Sequence, residues 1–185
     1  MIDDIIADAG RKMNIVVDHA REDLGAIRTG RAHPAMFNKI VVDYYGAPTP
    51  LQQLATFQVP EARTVLITPF DRGAVAGIVK AIRDSDLGVN PVDDGTVVRL
   101  SMPQLTEERR KEYIKLARHK AEEARVAVRN TRRHAIESVN KLVKDKEASE
   151  DAARGAEKQL DAATKKHIDI IDDMLKSKEA ELLEV

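Results

Sequence analysis

The chain has no cysteine and no tryptophan, and aromatic residues make up 3% of its 185 positions. Without cysteine there is no disulfide, no thiolate zinc site and no thiol nucleophile. So few aromatics cannot build the stacking platform that holds single-stranded nucleic acid, and they suit aliphatic helix packing instead. No apolar run approaches the roughly 18 residues of a membrane span. The N-terminus, MIDDIIADAG, carries acids where a signal peptide needs a basic start and an apolar stretch. Together these absences predict a soluble, cytoplasmic chain with no membrane partner.

The signatures of catalysis are also missing. Neither a G-x-G-x-x-G nor a G-x-x-x-x-G-K-[ST] loop is present, so no nucleotide cradle is expected. The five histidines, His19, His33, His119, His134 and His167, have no metal-ligand spacing. NPVDDG lacks the further oxygen ligands of a calcium loop. GAVAG, residues 73–77, reads as a close-packing contact of a soluble helix. His167 falls on an apolar face and reads as a packed core histidine; His134, beside the arginines, reads first as a plain surface residue and second as a phosphate contact. The chain is not expected to be an enzyme, or to need a metal or cofactor.

What is present is hydrophobic periodicity of two kinds. Ile2, Ile5, Ile6, Ala9, Met13, Val16, Val17, Ala20, Leu24 and Ile27 recur at helical steps of three and four. Gly30 and Pro34, in RTGRAHP, should close that helix, with Gly30 free to take the left-handed conformation of a helix end. From about residue 33 to 104 the character changes. KIVVDYYG, LATFQV, RTVLIT and TVVRLS read as strands, with Pro48, Pro50, Pro60 and Pro69 as punctuation and LGVNPVDDG as loop. Val75, Ile78, Val79 and Ile82 make one short amphipathic helix, with Asp71 a candidate cap.

After PQLTEERR, no Gly or Pro occurs until past residue 145. Tyr113, Ala117, Ala121, Ala124, Val128, Thr131, Ala135, Val139 and Leu142 form the seam of a helix expected to be about 60 Å long. KEASED is a polar break, with Ser149 a candidate cap. Ala156, Leu160, Ala163, His167, Ile171, Met174 and Leu182 mark a last helix. A lone amphipathic helix cannot bury its stripe, but three can bury each other. The expected fold is α+β: an elongated antiparallel three-helix bundle (residues 1–30 and 105–185) with a small α/β domain (31–104) inserted. Two chain crossings, near Gly30–Arg31 and Gln104–Leu105, would form a hinge.

The formal net charge is only −1, yet the charge is segregated. Residues 105–146 hold thirteen Lys and Arg against seven Asp and Glu, whereas residues 147–185 hold six against eleven. Taking about 100° per helical residue, Lys111, Lys115, Arg118, Arg125, Arg129, Arg132 and Arg133 share a band about 100° wide, clear of the seam. Glu122 is the one acid inside that band. Two readings follow. The band could be a solvated face balanced by the acidic last helix. Its length and arginine content favour a phosphate-rich partner such as folded RNA, since the guanidinium fork matches phosphate oxygens. A generic RNA-binding protein and a helical scaffold for an acidic protein are the rivals.

The order of several segments adds to this. IRTGRAHP, VDYYGAPTPLQQLA, SDLGVNP, PQLTEERR, ARVAVRNTRRHA, DKEASED and KEAELLEV resemble segments of the bacterial ribosome recycling factor family, over the whole chain. The resemblance implies that Thr131 and His134 fall at variable positions of that family. The resemblance implies an L-shaped molecule of tRNA-like dimensions, acting as a monomer. It implies binding to the post-termination ribosome and subunit splitting with elongation factor G, which uses GTP. It assigns large-subunit ribosomal RNA contacts to Arg129, Arg132 and Arg133, with Arg110, Arg28 and Arg31 in support. Gly30, Arg31, Gln104 and Leu105 would be the hinge.

Overall fold

The computed structural model of the chain describes residues 1–184. It divides into two compact units. The first holds residues 1–28 and 107–183; the second holds residues 29–106 together with Glu184.

The first unit is three long helices: α1 (Ile2–Gly25), α3 (Glu107–Lys144) and α4 (Glu150–Leu183). Each buries one stripe. Met13, Val17 and Ala20 of α1 close on Ala121, Ala124 and Val128 of α3 and Ile171 of α4. Further along, Ala9 meets Ala135 and Leu160. Alanine dominates the α3 face, so the helices approach closely at little cost in side-chain entropy. His167 is 5% exposed, with Nδ1 2.6 Å from the Ala163 carbonyl and Nε2 2.8 Å from Asn14 Oδ1. It is the packed core histidine that its seam position suggests.

The turn between α3 and α4 is closed at both ends. Lys146 sits at φ 60°, and its N–H reaches the Val143 carbonyl while that of Glu147 reaches Leu142. This is a Schellman closure with lysine where glycine is usual. Ser149 Oγ then accepts from the Ala152 N–H at 3.1 Å, capping α4 as expected.

The second unit has a hairpin, β1 (Val41–Tyr44) and β2 (Ala47–Pro50), and a four-stranded antiparallel sheet. The sheet comprises β3 (Ala55–Glu61), β4 (Thr64–Pro69), β5 (Pro91–Asp93) and β6 (Val98–Ser101), in the order β3-β4-β6-β5. A short helix, α2 (Val75–Arg83), packs its Val75, Ile78 and Ile82 face into the same core as Phe37, Val42, Leu51, Val65, Ile67, Val98 and Leu100. Asp71 caps the turn before α2, accepting from the Gly73 N–H at 2.9 Å.

Three local expectations are corrected. α1 ends at Gly25, with Ala26 right-handed and bonded back to Glu22, and Gly30 is not among the left-handed glycines. A three-residue turn at Ile27 closes the helix, so no left-handed residue is needed. Pro48 and Pro50 do not end a strand but lie within β2, opposite Asp43 and Val41. Tyr45 and Gly46 both have positive φ, forming the tight two-residue turn that suits a twisted hairpin. That register makes Tyr44–Ala47 and Val42–Thr49 the hydrogen-bonded pairs, so the prolines face away from β1 and remove no ladder bond. The loop expected at 87–95 contains β5, which pairs Pro91 with Leu100.

Candidate nucleic-acid interface

The basic band of α3 is real, but it has two edges with different surroundings. Along the edge facing α4, cations meet acids. Arg118 Nε donates to Glu179 at 2.6 Å, Arg125 Nε to Asp172 at 2.7 Å, and Arg132 Nε to Asp161 at 2.5 Å. Arg132 also lies 4.0 Å from Glu157. The helices are antiparallel, so steps of seven forward on α3 (118, 125) match seven backward on α4 (179, 172). Arg125 is the most enclosed, its side chain 19% exposed. Burial works against its charge, but the Asp172 and Glu122 carboxylates outweigh that, and its pKa is raised.

The expectation that all seven cations stand clear of the seam is therefore corrected. Arg132 lies about 20° from the nearest buried seam position on the helical projection. Its side chain is 33% exposed and lies against α4.

The opposite edge faces solvent. Lys115 and Arg133 are exposed, and neither has an ion-pair or hydrogen-bond partner among the described residues. Arg129 is exposed and 3.5 Å from Glu122. Arg129, Arg132 and Arg133 thus stand within about one helical turn of α3.

The other assigned residues are not part of this cluster. Arg110 is about 28 Å away along α3 at the usual helical rise. It is half-buried, and its Nε is enclosed with no hydrogen-bond partner. The projection explains this, since Arg110 falls among the seam positions. Arg28 is half-buried after α1. Arg31 is exposed in the second unit and pairs with Glu184 at 3.3 Å. Gly30 and Leu105 lie side by side, with the Leu105 backbone nitrogen 4.0 Å from where a Gly30 Cβ would stand. Gln104 is exposed.

Pairing of the band with the acidic last helix is one of the two readings the sequence allows; which acids hold Arg118, Arg125 and Arg132 is what reasoning from sequence misses. The acidic surplus of the last helix was visible, and the seven-residue spacing of Asp172 and Glu179 was the available sign of a ladder. Among the described residues, no group of three or more His, Asp or Glu side chains is placed to hold a metal ion.

A guanidinium cluster on a rigid helix, with Arg129 and Arg133 exposed and Arg132 partly so, offers several N–H donors and fixed positive charge. It can grip phosphate and orient a partner. Fold and site together define a binding protein rather than a catalyst's scaffold: a helical bundle with a basic face, and a small α/β unit. The family model for ribosome recycling factor matches residues 20–183. A ribosome-recycling factor of Kineococcus radiotolerans is 65% identical over 185 residues, covering the whole of both chains. One of Cutibacterium acnes is 66% identical over 182 residues, covering 98% of this chain and 99% of its own. A solution structure of the ribosome recycling factor is 40% identical and matches with TM-score 0.79 over 100% of this chain and 98% of that one. A second structure, also 40% identical, matches over the full length of both chains with TM-score 0.68. It is described as models for the Thermus thermophilus ribosome recycling factor and the Escherichia coli elongation factor G bound to the E. coli post-termination complex. The chain belongs to the ribosome recycling factor family, a family of non-enzymatic translation factors.

Proposed function

We propose that this chain binds the ribosome after translation termination and, with elongation factor G and GTP, splits it into subunits, releasing mRNA and tRNA. The observation that carries this reading is full-length similarity to recycling factors, one of which is described bound with elongation factor G on the post-termination complex. GTP is used by the elongation factor; the chain itself supplies shape and charge. The site of action is the cytoplasm, and no helix among the described residues is long and apolar enough to cross a membrane.

The basic band of α3 grips large-subunit ribosomal RNA, through its solvent-facing edge and through Arg132 on the edge beside α4. Arg129, Arg132 and Arg133 are the central contacts, with Arg110, Arg28 and Arg31 in support. The exposure of Arg129 and Arg133 supports this, as does the stiffness of a 38-residue helix. The crossings at Gly30–Arg31 and Gln104–Leu105 act as a hinge, for which the adjacency of Gly30 and Leu105 is the support. A hinged unit moved against an anchored bundle converts the elongation factor's push into disruption of subunit contacts.

Co-sedimentation tests the binding half. The protein should pellet with 70S ribosomes at an ionic strength where it no longer binds protein-free ribosomal RNA. Equal binding to both would make it a general RNA-binding protein, and no binding to either would give the arginines to a different partner.

A further inference from the structure

Asp161 has no part in the function just described, yet it holds the central arginine. We infer that Asp161, on α4, is a positioning residue that pre-sets the Arg132 guanidinium for ribosomal RNA phosphate. The inference rests on the proposed role of Arg132.

The three clustered arginines are held in three different ways. Arg133 has no partner among the described residues. Arg129 has a long contact of 3.5 Å to Glu122 of its own helix. Arg132 alone is fixed from the neighbouring helix, by a 2.5 Å bond from Nε to Asp161 Oδ1, with Glu157 4.0 Å from Nη2. Guanidinium carries five N–H donors in one rigid plane. Asp161 takes the Nε donor, so the plane and the remaining edge are set while several Nη donors stay unused. A long side chain ordered before binding does not have to be ordered during it.

Simple electrostatics says the opposite. A carboxylate beside a phosphate-binding site repels phosphate, and removing it should tighten binding. Positioning and repulsion therefore give opposite signs for Asp161→Ala. Asp161→Asn separates them further, because an amide oxygen still accepts from Nε–H although the charge is gone.

The test is equilibrium binding of the full chain to 70S ribosomes for the wild type, R132A, D161A, D161N and the double variant R132A/D161A. R132A should weaken binding. D161A should weaken it by about three- to tenfold, the scale of ordering one long side chain. D161N should bind at least as tightly as the wild type. In the R132A background, D161A should weaken nothing further, which a merely structural role would not produce. Each protein's helical content and urea midpoint are measured alongside. If D161A and D161N both tighten binding, or D161A leaves it unchanged while R132A weakens it, Asp161 does not position Arg132. If R132A itself binds like the wild type, the proposed contact of Arg132 falls, and the inference with it.

Discussion

Arg125 and Asp172 meet at 2.7 Å across the α3–α4 interface, with the arginine side chain 19% exposed. Eight residues further along α3, Arg133 stands exposed with no partner among the described residues. The same residue type thus serves the fold at one position and is available to a partner at the other. Burial and pairing decide which.

Arg125→Ala should therefore cost stability. It removes a hydrogen-bonded ion pair and the packed stem of the side chain, and it leaves Asp172 without its cation. A loss of about 1–3 kcal/mol is expected. Arg133→Ala should stay within about 0.5 kcal/mol of the parent. Urea unfolding of the two variants checks this; equal effects would mean that the enclosed pair contributes nothing to the bundle.

The hairpin of the second unit should respond to pH through Asp71. Its carboxylate accepts from the Tyr44 hydroxyl at 2.7 Å, the Gly73 N–H at 2.9 Å and the Tyr45 hydroxyl at 3.3 Å. The Tyr44 bond, with the Gly73 N–H next, holds the Asp71 pKa below its ordinary 3.8; the same bond raises that of Tyr44 above 10.0. A lowered carboxyl pKa adds stability above its unfolded value, and that contribution is lost as pH falls through the folded one. The raised Tyr44 pKa adds stability below its unfolded value, lost as pH rises through the folded one. Tyr44→Phe should move the Asp71 titration up toward 3.8, read by NMR of the carboxyl carbon. It should also reduce the loss of hairpin amide protection on acidification. An unmoved titration would remove Tyr44 as the cause.

Two glycines should behave oppositely when replaced by alanine. A Cβ at Gly77 of α2 would stand 2.9 Å from the Asp43 carbonyl oxygen and 3.2 Å from Val42 Cγ1. The overpacking should outweigh the gain in helix propensity, for a net loss of about 1–2 kcal/mol. At Gly10 of α1 nothing lies within 4 Å, so Gly10→Ala should gain about 0.5–1 kcal/mol. Thermal unfolding distinguishes the signs.

Helical periodicity made the bundle legible. The stripe through Ala9, Met13, Val17, Ala20 and Leu24 is the buried face of α1, because a 3.6-residue repeat requires a single partner face. β2 was hidden because proline is normally a strand breaker, and its tolerance here depends on a register that only the folded hairpin fixes. β5 is three residues long, too short to show an alternation. The basic face was legible as composition and angle. Its division into paired and free arginines was not, because a helical projection places a residue around its own axis and says nothing of the neighbour. Arg132 and Arg133 adjoin in sequence, yet one is bound to Asp161 and the other faces solvent.

The most direct measurement of the central claim is light scattering of post-termination ribosomes mixed with this protein, elongation factor G and GTP. The wild type should lower the scattering as subunits separate. A variant lacking Arg129, Arg132 and Arg133 side chains, folded by circular dichroism, should leave it flat. A wild type that binds ribosomes without lowering the scattering, or a triple variant that splits them as well as the wild type does, would contradict the account.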